Sequence, residues 1–168
     1  PVETKRWVYA KLIYLNSNQL ESLPDEAISA WSELEEINIS ENRLTSVPDA
    51  VGAWAKLKSF YCNDNPGITS IPAAVASWTS LRVLHINNTG LTALPSEVGA
   101  LVNLTNVSLN GNALKTLPPE VINLYSRPHR NQLLHSFTGR QLAESHEDVL
   151  EQQSGNSHPP FLLSNSLR

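Results

Sequence analysis

A repeating pattern of apolar residues occupies the first three quarters of the chain and constrains its fold more than any other feature. Each repeat carries apolar residues at its first, fourth and sixth positions, then two more apolar residues and a proline. The repeats begin at Ala10, Leu34, Leu57, Leu81 and Leu104, at spacings of 24, 23, 24 and 23 residues. All 25 apolar positions are filled, although only 40% of the chain is hydrophobic. Chance cannot account for this pattern, so the repeat is structural.

The middle of each repeat alternates apolar and polar residues, which predicts a short β-strand with one buried and one open face. Because the repeats have nearly constant length, we expect these strands to stack in parallel. The ninth position is Asn18, Asn42, Asn65 and Asn112 in four repeats, and amide side chains can satisfy backbone groups inside a turn. Thr89 holds this position in the fourth repeat, where we expect a slightly looser turn.

The proline begins the segment that returns to the next strand. Its fixed φ and missing N–H suit the first turn of a short helix. A large apolar residue lies six residues after the proline, or seven in the first repeat, and should fill the layer behind the sheet. These residues are Trp31, Trp54, Trp78, Leu101 and Leu124.

The pattern resembles the leucine-rich-repeat family. Its form LxxLxLxxNxLxxLPxx[VI]xx[LW] resembles the intracellular 23-residue type of Ras-suppressor, scribble and erbin relatives. The resemblance implies an α/β fold, a leucine-rich-repeat solenoid forming a horseshoe segment. It places a parallel β-sheet on the concave face and short helices or turns on the convex face. It also implies a scaffold that binds proteins.

The repeats divide the chain into three parts. Residues 1–125 are predicted to form leucine-rich repeats, with five repeats in 10–125. Residues 1–9 form a partial repeat, because Pro1 and Trp7 precede Ala10 by the offsets that Pro48 and Trp54 have before Leu57. This phasing suggests a fragment of a longer protein. We expect a helical cap at 126–153 and a disordered tail at 154–168.

The polar residues between the apolar ones should form an interaction surface on the concave face. The central position of each strand reads Tyr14, Asn38, Tyr61, His85 and Ser108. Flanking positions supply Lys11, Glu35, Glu36, Lys58 and Arg82. Rigid side chains such as tyrosine give contact area at low entropic cost, which favours a protein partner. The alternative is a solvated face, since exposed strand positions favour tyrosine anyway.

The sequence gives no sign of an enzyme, and we expect no cofactor and no metal. His85 lacks the fixed companions that acid–base or metal chemistry needs. Cys62 holds an inward apolar position and should be a small buried hydrophobe. Twelve basic residues face 16 acidic ones without a basic run, which argues against nucleic acid. No apolar run approaches the ~20 residues of a membrane span.

The leading hypothesis is a protein-protein interaction module or scaffold, in intracellular signalling. A cytoplasmic location is favoured because Cys62 is the only cysteine, whereas secreted repeat domains usually carry cysteine-rich caps. The alternative is the recognition arm of a larger kinase, GTPase or ubiquitin ligase. A receptor ectodomain is the third hypothesis, suggested by glycosylation sequons at Asn38, Asn87, Asn103 and Asn106. The sequence determines neither the partner's identity nor the oligomeric state.

Overall fold

The computed structural model describes residues 7–125 and places one short strand in each repeat. The five strands form a single parallel sheet in sequence order. They are β1 (Leu12–Tyr14), β2 (Glu36–Asn38), β3 (Ser59–Tyr61), β4 (Val83–His85) and β5 (Asn106–Ser108). This arrangement confirms the predicted α/β architecture with a parallel sheet.

The return segments form short helices that pack side by side behind the sheet. Two are α-helices, α1 (Asp25–Ala30) and α2 (Pro119–Tyr125). Three are 3₁₀ helices, Asp49–Ala53, Ala73–Ser77 and Ser96–Ala100. Turns of this size are enough to connect parallel strands about 4.8 Å apart when every repeat has the same length.

The proline lies one residue earlier than the sequence predicts, as the residue that caps a helix rather than within its first turn. Pro48 has φ −77° and ψ 157°, and its carbonyl accepts a hydrogen bond from Val51 N at 3.2 Å. Pro24, Pro72 and Pro95 have the same extended conformation. The capping position needs a carbonyl acceptor but no N–H donor, which proline supplies with its φ already fixed.

The core lies between the sheet and the return segments. The central residue of every strand is buried, from Ile13 in β1 to Val107 in β5. Three apolar residues of the first repeat, Ala10, Leu15 and Leu20, are only partly buried. In the described part of the chain β1 has a neighbouring strand on one side only, so its repeat packs against one neighbour instead of two.

Tryptophans stack in the return layer, where the sequence predicts large apolar residues. The ring centroids of Trp7, Trp31, Trp54 and Trp78 follow one another at 6.3, 6.2 and 6.1 Å, with planes within 26° of parallel. Trp54 Nε1 donates to Ile28 O at 3.0 Å. Trp54 and Trp78 therefore each contribute both apolar area and a hydrogen bond to the preceding repeat, whereas Trp31 Nε1 has no hydrogen-bond partner among the described residues.

Several expectations fall outside the described residues. These are the helical cap at 126–153, the tail at 154–168, residues 1–6 of the partial repeat and the side chain of Leu124. Trp7 itself is described and forms the same turn as its equivalents, since Ala10 N donates to Trp7 O as Leu57 N does to Trp54 O. Within residues 7–125, no helix is long and apolar enough to cross a membrane.

Candidate functional site

Buried asparagine side chains in the turns that follow the strands hold the backbone of neighbouring repeats together. Asn42 is 6% exposed, and its Nδ2 donates to Ile39 O and Ser40 O of its own repeat at 3.1 Å. The same Nδ2 reaches Leu15 O of the preceding repeat at 2.9 Å, while Oδ1 accepts from Leu20 N at 3.0 Å. One side chain thus satisfies backbone groups of two repeats, which holds adjacent strands in register.

We call the series of asparagines at the ninth position of the repeats the asparagine ladder. Thr89 interrupts this ladder in the fourth repeat. Its N–H and hydroxyl both donate to Asn112 Oδ1, at 3.1 and 2.5 Å. Asn112 Nδ2 also reaches back to Ile86 O at 2.6 Å. Among the described residues, the side chain of Thr89 makes no hydrogen bond to the third repeat. The two hydrogen bonds that Asn42 makes to the preceding repeat therefore have no counterpart at Thr89, and the looser turn remains a prediction.

The residue before each ladder position has a left-handed backbone, which the repeat pattern does not predict. The φ values are 57° at Ser17, 56° at Glu41, 55° at Asp64, 52° at Asn88 and 70° at Gly111. A signal was present, because glycine, asparagine and aspartate are the residues that tolerate this conformation best. It was obscured because serine and glutamate occupy the same position in the first two repeats.

A second ladder runs along the carboxyl ends of the strands and was also missed. Ser40 Oγ accepts from Asn63 N at 3.1 Å, Asn63 Oδ1 from Asn87 N at 2.9 Å, and Asn87 Oδ1 from Asn110 N at 2.9 Å. Each side chain caps a backbone N–H of the next repeat. The sequence signal is the serine or asparagine at the seventh position of every repeat, beginning at Asn16.

The predicted column of side chains does assemble, although each member is the last residue of its three-residue strand and not the central one, which is buried. The sheet register pairs each member with the next across adjacent strands. We call this set, Tyr14, Asn38, Tyr61, His85 and Ser108, the central column. Tyr61 and His85 pack edge to face, with centroids 5.3 Å apart. Tyr14 is 58% exposed, while the other four are half-buried between their neighbours.

The flanking basic and acidic residues form a second line, the charged column, of Lys11, Glu35, Lys58 and Arg82. Glu35 lies between two lysines, with Oε1 2.9 Å from Lys11 Nζ and Oε2 2.6 Å from Lys58 Nζ. The hydrogen bonds from Lys58 and then Lys11 lower the pKa of Glu35 to about 2. The same contact with Glu35 raises the pKa of Lys11. Three repeats are therefore linked by alternating charge.

Glu36 and Arg82, the other predicted flanking residues, have different surroundings. Glu36 Oε1 accepts a hydrogen bond from Tyr14 Oη at 2.7 Å, which raises the pKa of Tyr14. Arg82 is exposed at the start of β4, between Lys58 and Thr105 in the stack. Among the described residues, no carboxylate lies within 4.0 Å of its guanidinium. The charged column thus ends in a cation with no ion-pair partner there.

His85 and the polar side chains of the strand face hydrogen-bond to neighbouring side chains. Its Nε2 lies 3.0 Å from Asn106 Oδ1. Ser108 Oγ donates to Asn87 Oδ1, and Asp64 Oδ1 accepts from Asn88 Nδ2. Across residues 7–125 there is no group of three His, Cys, Asp or Glu side chains that could hold a metal ion.

Cys62 holds the inward position that the sequence predicts. It is completely buried, and desolvation raises the pKa of its thiol to about 12. Because the thiolate is the reactive form, a thiol in these surroundings is chemically inert at neutral pH. Cys62 is therefore a structural residue of the hydrophobic core.

Sequence comparison gives one family match. The model of the family described as "Leucine rich repeat" matches residues 10–66, which contain the first three strands. No protein with a curated description matches the chain.

Two solved structures resemble this fold. A leucine-rich-repeat protein of Leptospira interrogans has 23% identity and a TM-score of 0.54 over 74% of this chain and 37% of its own. The second is a chain in an octameric complex of Latrophilin 3, Unc5D and FLRT2, with FLRT2 described by its leucine-rich repeats. It has 19% identity and a TM-score of 0.58 over 71% of this chain and 37% of its own.

The chain therefore spans little more than a third of the length of either structure. At these identities, the likeness establishes the fold alone. Taken with the repeat pattern, the parallel sheet and the family match, it identifies the described part of the chain as a leucine-rich-repeat solenoid.

Proposed function

We propose that this solenoid is a protein-protein interaction module that binds its partner on the strand face, through the central column. The observation that carries the proposal is the alignment of Tyr14, Asn38, Tyr61, His85 and Ser108 across five consecutive strands. Both ladders hold the backbone beneath this column. A partner would meet a preorganised surface, which lowers the entropic cost of binding.

The chemistry of the column supports a protein ligand. Tyr61 and His85 present rings whose edges carry polar atoms, so they can combine apolar contact with hydrogen bonding. Solenoid folds of this class usually serve binding rather than catalysis, because their repeats create an extended surface without a deep cavity. The similar fold found in an assembly of several proteins is consistent with this role.

The setting of this interaction is part of the proposal. We place the module in the cytoplasm, as a scaffold in intracellular signalling. The observation favouring a reducing compartment is that Cys62, the only cysteine, is buried as a free thiol.

The test is affinity capture followed by quantitative mass spectrometry, with the full chain as bait. The bait variant is Tyr14→Ala/Tyr61→Ala, which removes both rings of the central column. We expect the recovery of genuine partners to fall about tenfold or more, since buried interface aromatics commonly contribute 2 kcal/mol or more.

Tyr9→Ala is the matched control, because Tyr9 is 82% exposed but lies outside the sheet. Circular dichroism would establish that each variant is folded. Equal recovery of every captured protein by wild type, control and double variant would rule out binding through the central column.

A further inference from the structure

We propose that the carboxyl-terminal half of the strand face recognises an acidic side chain of its protein partner, with Arg82 as the residue that binds the carboxylate. This inference rests on the proposed function, because it specifies which chemistry the strand face accepts. The occupant to which it commits is an extended protein segment that carries Asp or Glu.

Charge is unevenly distributed along the charged column. Glu35 neutralises part of the charge of Lys11 and Lys58 through contacts of 2.9 and 2.6 Å. Lys58 is thereby directed toward the second repeat and away from Arg82. Arg82 keeps its full charge at an exposed position, and within residues 7–125 no carboxylate lies within 4.0 Å of it.

The composition of the face around Arg82 also favours an acidic ligand. The strand-face positions of the fourth and fifth repeats carry no acidic residue and no charge other than Arg82. Besides Arg82, these positions hold only Val, His, Asn, Thr, Ser and Gly. The acidic residues lie in the earlier repeats, at Glu35, Glu36, Glu41 and Asp64. An incoming carboxylate would meet attraction at Arg82 and repulsion at the opposite half of the face.

Asn106 supplies a further hydrogen-bond donor on this half of the strand face. His85 Nε2 lies 3.0 Å from Asn106 Oδ1, so the amide NH₂ of Asn106 is turned away from the ring. Within the described chain that NH₂ has no acceptor, and Asn106 is exposed. Asn106 N donates to Arg82 O at 2.9 Å, so the two residues are backbone neighbours in adjacent repeats. A carboxylate can accept from several donors at once, and a guanidinium and a spare amide on neighbouring residues supply such donors.

The test uses a phage-displayed peptide library selected on the immobilised full chain. Wild type should select peptides enriched in Asp and Glu relative to the unselected library. Resynthesis of one selected peptide with Gln in place of its acidic residue should weaken binding about tenfold, as expected for a charge-assisted hydrogen bond.

Three arginine variants determine whether Arg82 causes the preference for acidic peptides. Arg82→Gln should abolish the acidic preference, and Arg82→Glu should replace it with a preference for Lys and Arg. The matched control is Arg43→Gln, which removes the same charge from an exposed arginine outside the strands. This control should select the same acidic peptides as wild type.

The outcomes separate this inference from the proposed function. Peptides that lose binding in Tyr61→Ala but show no acidic enrichment would overturn the inference and leave the strand face as the binding surface. Peptides that bind Tyr61→Ala and Arg82→Gln as well as wild type would contradict both proposals. A library that yields no binder to wild type would also overturn the inference.

Discussion

At the scale of single residues, the turn after each strand depends on one left-handed residue per repeat. Four of the five are not glycine, with φ between 52° and 57° at Ser17, Glu41, Asp64 and Asn88. Such residues incur a cost of about 1 kcal/mol or more, which the surrounding hydrogen bonds must offset. Side-chain hydrogen bonds join two pairs of these residues in adjacent repeats: Ser17 Oγ donates to Glu41 Oε2, and Asn88 Nδ2 donates to Asp64 Oδ1. Hydrogen bonds between neighbouring repeats therefore offset part of the backbone strain.

Gly111 allows a direct test of this turn. Its φ is +70°, and a Cβ added there would overlap Asn88 Oδ1. We expect Gly111→Ala to lower the free energy of unfolding by about 1–3 kcal/mol, from backbone strain and displacement of the Asn88 side chain. Urea denaturation followed by circular dichroism measures the change.

Gly52→Ala provides the control for that substitution. A Cβ at Gly52 would meet Ala74 Cβ at 3.4 Å, an ordinary contact, and Gly52 lies in a 3₁₀ helix. This variant should keep the wild-type stability within about 0.5 kcal/mol. If Gly111→Ala were as stable as Gly52→Ala, the left-handed turn would not be a requirement of the fold.

At the scale of elements, neighbouring repeats are joined by side chains as well as by strand pairing. The asparagine ladder joins β1 to β2 and β2 to β3 through Asn42 and Asn65. At the junction of β3 and β4 the corresponding residue is Thr89, whose hydroxyl turns toward Asn112 instead. This junction therefore lacks the two hydrogen bonds that Asn42 and Asn65 each make to the preceding repeat, one from Nδ2 and one to Oδ1.

Thr89→Asn should restore the Nδ2 hydrogen bond at this junction. The new amide could donate to Cys62 O, as Asn65 Nδ2 donates to Ile39 O at 3.0 Å. We expect the free energy of unfolding to rise by about 1 kcal/mol, the net value of a typical buried hydrogen bond. Thr116→Asn, at an exposed position, should leave it unchanged. Loss of stability in Thr89→Asn would show that the fourth turn requires the smaller side chain.

The charged column predicts a pH dependence through Glu35. Its folded pKa of about 2 lies below the ordinary value of 4.5, so its stabilising contribution is present above pH 4.5 and is lost as pH falls toward 2. Glu35→Gln should therefore be less stable than wild type at pH 7, with the difference disappearing near pH 2. Paired urea denaturations at the two pH values measure this effect.

Salt and a control variant test the electrostatic origin of that difference. Because both lysines are exposed, 1 M NaCl should shrink the pH 7 difference by screening, since the Debye length is then about 3 Å. Glu21→Gln, which removes an exposed carboxylate outside the charged column, should show no such pH dependence. A Glu35→Gln difference that persisted unchanged at pH 2 would contradict the ion-pair explanation.

At the scale of the whole molecule, the two ends of the described solenoid differ. At the β5 end, α2 packs against the 3₁₀ helix Ser96–Ala100 so closely that a Cβ at Gly99 would lie 2.5 Å from Glu120 Cβ. The β1 end exposes large apolar side chains: Trp7 is 45% exposed, Tyr9 82% and Leu12 58%. An edge strand with apolar side chains is a template for pairing with another chain.

Leu12→Lys should therefore reduce any association between copies of the described module. The substitution puts a charge on edge strand β1, at the position that Glu36 holds in β2. Sedimentation velocity across a concentration series should show less association than for wild type. Val102→Lys is the control, because Val102 is 42% exposed but lies outside the sheet. Equal effects of both variants would point to net charge instead of the β1 edge.

The sequence by itself determined the repeat length, the order and parallel direction of the strands, the buried positions and the members of the central column. These follow from periodicity, because a fixed repeat length places equivalent residues side by side in a stack. Only the tertiary structure decided the left-handed turns, the second ladder and the forward hydrogen bond of Thr89. It also decided that Lys58 pairs with Glu35 and leaves Arg82 without a carboxylate in the described chain. Such details depend on rotamers and on contacts between repeats, and a pattern of residue types within one repeat does not contain them.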